Sequence, residues 1–181
     1  MRKFHPDFDR LLADILRGDP EGQLVVQRGE SDHVTHCLQQ RVRRTMPDVA
    51  DRVVWLPRLS NAEYLNLLSA GDALLDPIHY GSGNTAYDAL AVGKPIVTLP
   101  GPFQRGRYTL ACYCKMGVID CVAESAADYV AMAVRLGRDE DFRMAVTRRI
   151  REASQDLFED GNAVQEHARF LDRMVEESRR R

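Results

Sequence analysis

Apolar residues recur along this chain at two alternating periods. Phe8, Leu11, Leu12, Ile15 and Leu16 stand at helical spacing and predict a helix over residues 7–17. Gly18-Asp19-Pro20 should stop it, since proline cannot continue the hydrogen-bond ladder. Residues 23–27 (Gln-Leu-Val-Val-Gln) are short and β-branched, the mark of a buried strand. A helix from Ser31-Asp32 to about Thr45 follows, with Ser or Asp as its cap, and then a strand over 52–56 ended by Pro57. Ser60 with Glu63 three residues on forms a capping box that should launch a helix reaching Ala70. Strands are expected at 73–76 and 96–99, separated by a glycine-rich loop and a helix over 84–92. A helix over 108–115 and a fifth strand over 117–120 complete the alternation. Beyond it the pattern is helical, with starts at Ser125, Asp139 and Asn162. The last of these helices carries Val164, Phe170, Leu171 and Val175, which should pack on the sheet or on another lobe.

Strands alternating with helices of this length predict an α/β fold, a doubly wound parallel sheet with right-handed crossovers. The expectation is one domain over 1–181 with a helical tail from about 124.

Composition narrows the function classes. A hydrophobic share of 44% and a charged share of 29% suit a soluble globular chain. The formal net charge of −2 argues against a dedicated nucleic-acid binder, which shows a basic excess or stripe. Arg41, Arg43 and Arg44 are expected on a solvated helix face. No apolar run approaches the ~20 residues that cross a bilayer, and no signal-peptide core follows Met1. Cysteines at 37, 112, 114 and 121 lack a disulfide framework and suit reduced thiols in the cytoplasm. Cys112-x-Cys114 is too close for a zinc knuckle. His33, His36 and Cys37 offer ligands about one helical turn apart, but a polar face followed by a buried cysteine is the expected reading.

In an open parallel sheet, ligands bind beyond the carboxyl ends of the strands. The stretch from Asp76 to Thr85 runs from a strand end into a helix and contains Gly81-Ser82-Gly83-Asn84-Thr85. Its glycines let backbone amides approach an anion, and the helix start adds unsatisfied N–H groups and a positive dipole end. Asp88, three residues past Thr85, lies on nearly the same face and suits ribose hydroxyls. There is no Gly-Lys-Ser/Thr of a kinase-type P-loop, and Ala86 stands where a third glycine would complete G-x-G-x-x-G. A plain tight turn with Asn84 or Thr85 as N-cap is the competing reading of the same residues.

The stretch Ala70-Gly71-Asp72-Ala73-Leu74-Leu75-Asp76-Pro77, then Gly81-x-Gly83-Asn84-Thr85-x-x-Asp88-Ala89-Leu90, then Gly93-x-Pro95-Ile96-Val97-Thr98-Leu99-Pro100-Gly101, resembles the C-terminal half of the O-GlcNAc transferase family. The bacterial members, with tetratricopeptide repeats ahead of the transferase, look most similar. Lys3-Phe4-His5-Pro6-Asp7-Phe8, Pro57-Arg58-Leu59-Ser60 and residues 124–136 follow the same pattern. The resemblance implies the donor-binding, Rossmann-like lobe of a two-lobed GT-B enzyme that transfers a sugar from a UDP-sugar, UDP-GlcNAc above all, to a protein hydroxyl. It implies no metal and no cofactor. By position Lys3 matches the lysine at the donor phosphates, Thr85 with Asn84 the paired threonines at the helix start, and Asp88 the ribose aspartate. Leu59 matches a position whose backbone reads the uracil edge, and Tyr64 takes the place of a histidine near the base. Human-type relatives have His-Thr-Thr where this chain has Gly83-Asn84-Thr85. An N-terminal lobe, tetratricopeptide repeats and a peptide acceptor are the implied partners; without the lobe, the chain alone is expected to be inactive. Alternatives are a non-catalytic nucleotide-sugar module or a protein N-glucosyltransferase-type lobe. His5, His79, Arg105 and Arg107 lie near the expected site without an assigned role, and Phe103 and Tyr108 are expected to pack.

Overall fold

The computed structural model describes residues 3–29 and 31–179. Helix α1 (Pro6–Gly18) opens with proline at its first turn, where the missing N–H costs nothing, and is capped by His5. Its buried stripe of Phe8, Leu11, Leu12, Ile15 and Leu16 packs along α6 (Ala126–Arg138). Fully burying a side chain such as Phe8 or Leu16 contributes roughly 1.5–3 kcal/mol.

Strands β1 (Leu24–Gln27) and β2 (Val53–Leu56) pair in parallel, with α2 (Asp32–Thr45) as the crossover. Helix α3 (Asn61–Ala70) begins with the expected capping box: Ser60 Oγ accepts from Glu63 N, and Glu63 accepts from Ser60 N at 2.8 Å. Strands β3 (Leu74–Leu75) and β4 (Ile96–Val97) also pair in parallel, joined through α4 (Asn84–Ala91). Then come α5 (Tyr108–Met116), α6, α7 (Glu140–Ala153) and α8 (Gly161–Arg179).

The α/β class and the parallel strands are as expected, and three details differ. β3 is cut to two residues, bounded by the bend at Gly71-Asp72 and by Pro77, which has no N–H to donate. Among the described residues the strands form two ladders, β1–β2 and β3–β4. A cavity of about 820 Å³ opens between Leu24–Gln27 and Ala73–Leu75 against the apolar face of α1. The strand expected over 117–120 does not form. Gly117, at φ +68°, caps α5 in the left-handed region, and Val118 N bonds back to Tyr113 O, so these residues close the helix. The chain meets the sheet just beyond, where Val122 bridges Thr98 through bonds from Thr98 N to Cys121 O and from Ala123 N to Thr98 O.

Other side chains also lie elsewhere than expected. Arg41 is not on a solvated face: it pairs with buried Asp9 at 2.9 Å and donates to Phe4 O. Cys37 is exposed rather than buried, as is Cys114, whereas Cys112 and Cys121 are buried. Phe103 and Tyr108 are exposed, the former with Arg105 stacked 4.5 Å from its ring. Helix α8 buries none of its residues, so Val164, Phe170, Leu171 and Val175 remain exposed instead of packing on the sheet. No helix among the described residues is long and apolar enough to cross a membrane.

Candidate functional site

The loop from β3 to α4 is fixed from below by one buried side chain. Asp76, 2% exposed, ends β3 and accepts from Ser82 N at 2.5 Å and from Thr98 Oγ1 at 2.8 Å. Tyr129, buried on α6, donates to Asp76 O at 3.1 Å. Gly81 has to be glycine here, because a Cβ would sit 2.9 Å from Asp76 Oδ2. Asp76 thus folds the loop over the end of the strand; its signal in the sequence was a lone carboxylate closing an apolar run just before Pro77.

This fixing redistributes the amides. Gly81 N is spent on Arg105 O at 2.8 Å, and Ser82 N on Asp76. Those two were expected to face an anion, and the structure assigns them to internal bonds. The amides of Gly83, Asn84 and Thr85 have no partner among the described residues. Gly83 is the N-cap of α4, and no side chain caps the helix, so the competing reading with Asn84 or Thr85 as cap is not what forms. A Cβ on Gly83 would meet nothing within 4 Å, which leaves open space before these donors.

Lys3 arrives from 78 residues away and donates from Nζ to Gly81 O at 2.7 Å, with the ammonium 4.6 Å from the centre of the Tyr80 ring. An ammonium has three donors, so two stay available beside the loop. On the other flank Tyr64, half-buried on α3, faces Thr85 and feels the charge of Asp88 on α4. Burial first, and Asp88 after it, raise the Tyr64 hydroxyl above the usual tyrosine range, and the neighbouring Thr85 opposes them. Tyr64, Thr85 and Asp88 therefore form one cluster on the facing sides of α3 and α4. Leu59, half-buried, lies in the connection from β2 to α3, at the same end of the strands.

At the other rim, His79 Nε2 lies 2.9 Å from Asp7 Oδ2. This bond holds the Asp7 carboxyl below its ordinary range. Arg107 donates to Gly101 O at 3.1 Å, and Arg105 stacks on Phe103. The cluster considered for metal does not assemble as such: Cys37 Sγ lies 3.6 Å from His33 Nε2, while His36 pairs with Gln40 at 2.9 Å.

An uncapped helix start, an ammonium beside it and a carboxylate one turn further along can take an anion joined to a polyol. Comparison with known proteins gives the family. The UDP-N-acetylglucosamine--peptide N-acetylglucosaminyltransferase of Caenorhabditis elegans is 27% identical over 139 residues, which cover 77% of this chain and 12% of that protein. The probable UDP-N-acetylglucosamine--peptide N-acetylglucosaminyltransferase SPINDLY of Arabidopsis thaliana is 27% identical over 143 residues, 77% of this chain and 15% of its own length. The chain therefore spans only a small part of these relatives. A Thermobaculum terrenum O-GlcNAc transferase mutant superposes with a TM-score of 0.84 at 23% identity, over 95% of this chain and 34% of that one. That superposition supports the α/β lobe. The sequence profile of glycosyl transferase family 41 matches residues 1–165, from before Lys3, through the loop and Asp88, into α8; the chain belongs to that family.

Proposed function

We propose that this chain is the donor-binding lobe of a protein O-glycosyltransferase, taking UDP-GlcNAc or a close UDP-sugar. The single observation that carries the reading is the uncapped start of α4, with three unpartnered amides at Gly83–Thr85 and Lys3 held beside them. The diphosphate would lie across those amides. Asp88 would accept from ribose hydroxyls, Tyr64 would border the base, and Leu59 would offer backbone groups to its edge.

In this reading an acceptor hydroxyl attacks the anomeric carbon from the face opposite the leaving group, with inversion, and gives up its proton to solvent or to the departing phosphate. The bond to the diphosphate oxygen breaks, and UDP departs with added negative charge. Lys3, the three amides and the α4 dipole stabilise that charge, the task a metal performs in other transferases, so the step requires no metal. The second lobe and the tetratricopeptide repeats would belong to the longer protein of which this chain is a part, and the acceptor would be a separate protein or peptide.

The test uses that longer protein. Lys3→Ala should lower kcat by roughly 10²–10³, the usual loss for one charge-directed donor, while UDP affinity falls much less. Equal losses in both would remove Lys3 from the transition state, whereas UDP binding without any turnover by the parent would favour a module that only binds nucleotide sugars.

A further inference from the structure

His5, Asp7 and His79 meet at the rim of the loop, although 72 residues separate Asp7 from His79. His79 Nε2 lies 2.9 Å from Asp7 Oδ2, and His5 Nδ1 lies 3.3 Å from the same oxygen. One ligand atom from each residue falls within 4.8 Å of the other two. Nitrogen and oxygen ligands about 2.0–2.2 Å from a metal stand roughly 3–3.5 Å apart along the edges of its coordination shell. Two of the three edges already have that length.

His79 also has φ +71°, one of two non-glycine residues at positive φ among those described. Positive φ is uncommon outside glycine, with histidine among the residues that tolerate it best, and here it turns the ring towards Asp7. Its bond to Asp7 holds the ring over the start of α1.

We propose that His5, Asp7 and His79 form a binding site for a divalent transition ion of the Zn²⁺ class, clamping the start of α1 to the β3–α4 loop. Two imidazoles and one carboxylate suit zinc and its neighbours, whereas magnesium and calcium prefer all-oxygen shells. The side chains are 50%, 62% and 51% exposed in sequence order, so water or an anion can complete the shell. Binding replaces the His79–Asp7 hydrogen bond. It also competes for His5 Nδ1, which accepts from Asp7 N at a long 3.2 Å. The positive end of α1 opposes a cation, and the Asp7 carboxylate is what offsets it. The site borders the donor loop, but its proposal does not rest on the transfer chemistry above.

The test is calorimetric titration of chelator-stripped protein with ZnCl₂, followed by Co²⁺ loading read from its visible absorption. His79→Gly removes a ligand while relieving the left-handed backbone, and His5→Asn removes a ligand while keeping a side-chain acceptor for the α1 cap. Cys37→Ser controls for the His33–Cys37 pair. Saturable binding should appear in the parent and in Cys37→Ser. It should weaken by about tenfold or more in each histidine variant, as losing a ligand costs at least what losing its supporting residue does. Absence of binding at micromolar zinc overturns the proposal. So does binding that survives both histidine variants or disappears with Cys37→Ser.

Discussion

Replacing Asp76 by asparagine keeps the size of the side chain and removes one of its two acceptor oxygens. The carboxylate takes Ser82 N–H at 2.5 Å and the Thr98 hydroxyl at 2.8 Å in a place only 2% exposed. A hydrogen bond to a charged partner contributes roughly 1.5–3 kcal/mol net, and a buried donor left unmatched costs about 1–3 kcal/mol. An asparagine oxygen can hold one of the two donors. Its amide then faces the other, and only the Thr98 hydroxyl can turn to accept from it. The Ser82 amide cannot turn, so the oxygen must stay with Ser82, and the loss is about one charge-assisted bond, roughly 2–3 kcal/mol. For a chain of this size that lowers the melting temperature by roughly 5–10 °C. Urea unfolding should show a lower midpoint at unchanged slope. Because the same bond folds the loop over the strand end, UDP affinity of the folded variant should fall as well. A variant within about 0.5 kcal/mol of the parent, with unchanged UDP affinity, would refute the role given to Asp76.

Three further predictions rest on other contacts. Tyr113→Phe removes the hydroxyl that takes Ile96 N at 2.7 Å and gives to Ile96 O at 2.9 Å, and should cost roughly 1–3 kcal/mol by denaturant titration. Gly93→Ala should destabilise on two counts, φ +77° and a Cβ 2.4 Å from Arg151 Cγ; adding Arg151→Ala should restore only part of the loss, and full restoration would show the backbone angle to be harmless. Burial pushes the Cys121 thiol up to about 12, so the folded state keeps its proton where the unfolded thiol, near 8.5, has lost it. Stability should therefore fall as pH rises from about 8.5, by roughly 2 kcal/mol at pH 10, and Cys121→Ala should flatten that part of the curve; an equal slope in both proteins would show that other groups set it.

How far the sequence could be read follows from the range of each signal. Helix starts were legible because they depend on neighbours: Ser60 with Glu63, Ser125 and Asp139 cap where their spacing said they would. The loop was legible as a strand-end turn into a helix because its glycines and position are local too. Which amides stay available was not, since that depends on Asp76 and on Arg105 O from a segment 24 residues away. Residues 117–120 look like a strand by composition. The local bonds that close α5 at Gly117 and Val118, with Gly117 in the left-handed region, overrode that propensity. Arg41 read as a surface arginine because its partner, Asp9, sits 32 residues earlier on another helix. Tyr64 entered through resemblance alone, because its nearness to Thr85 and Asp88 joins two helices that the sequence keeps about 20 residues apart.

The central claim is that the open start of α4 takes a nucleoside diphosphate. Calorimetric titration of this chain with UDP, set beside uridine, tests it most directly. UDP should bind saturably, and uridine, which lacks the diphosphate, should bind far more weakly. No binding of UDP at millimolar concentration, or equal binding of the two, would contradict it.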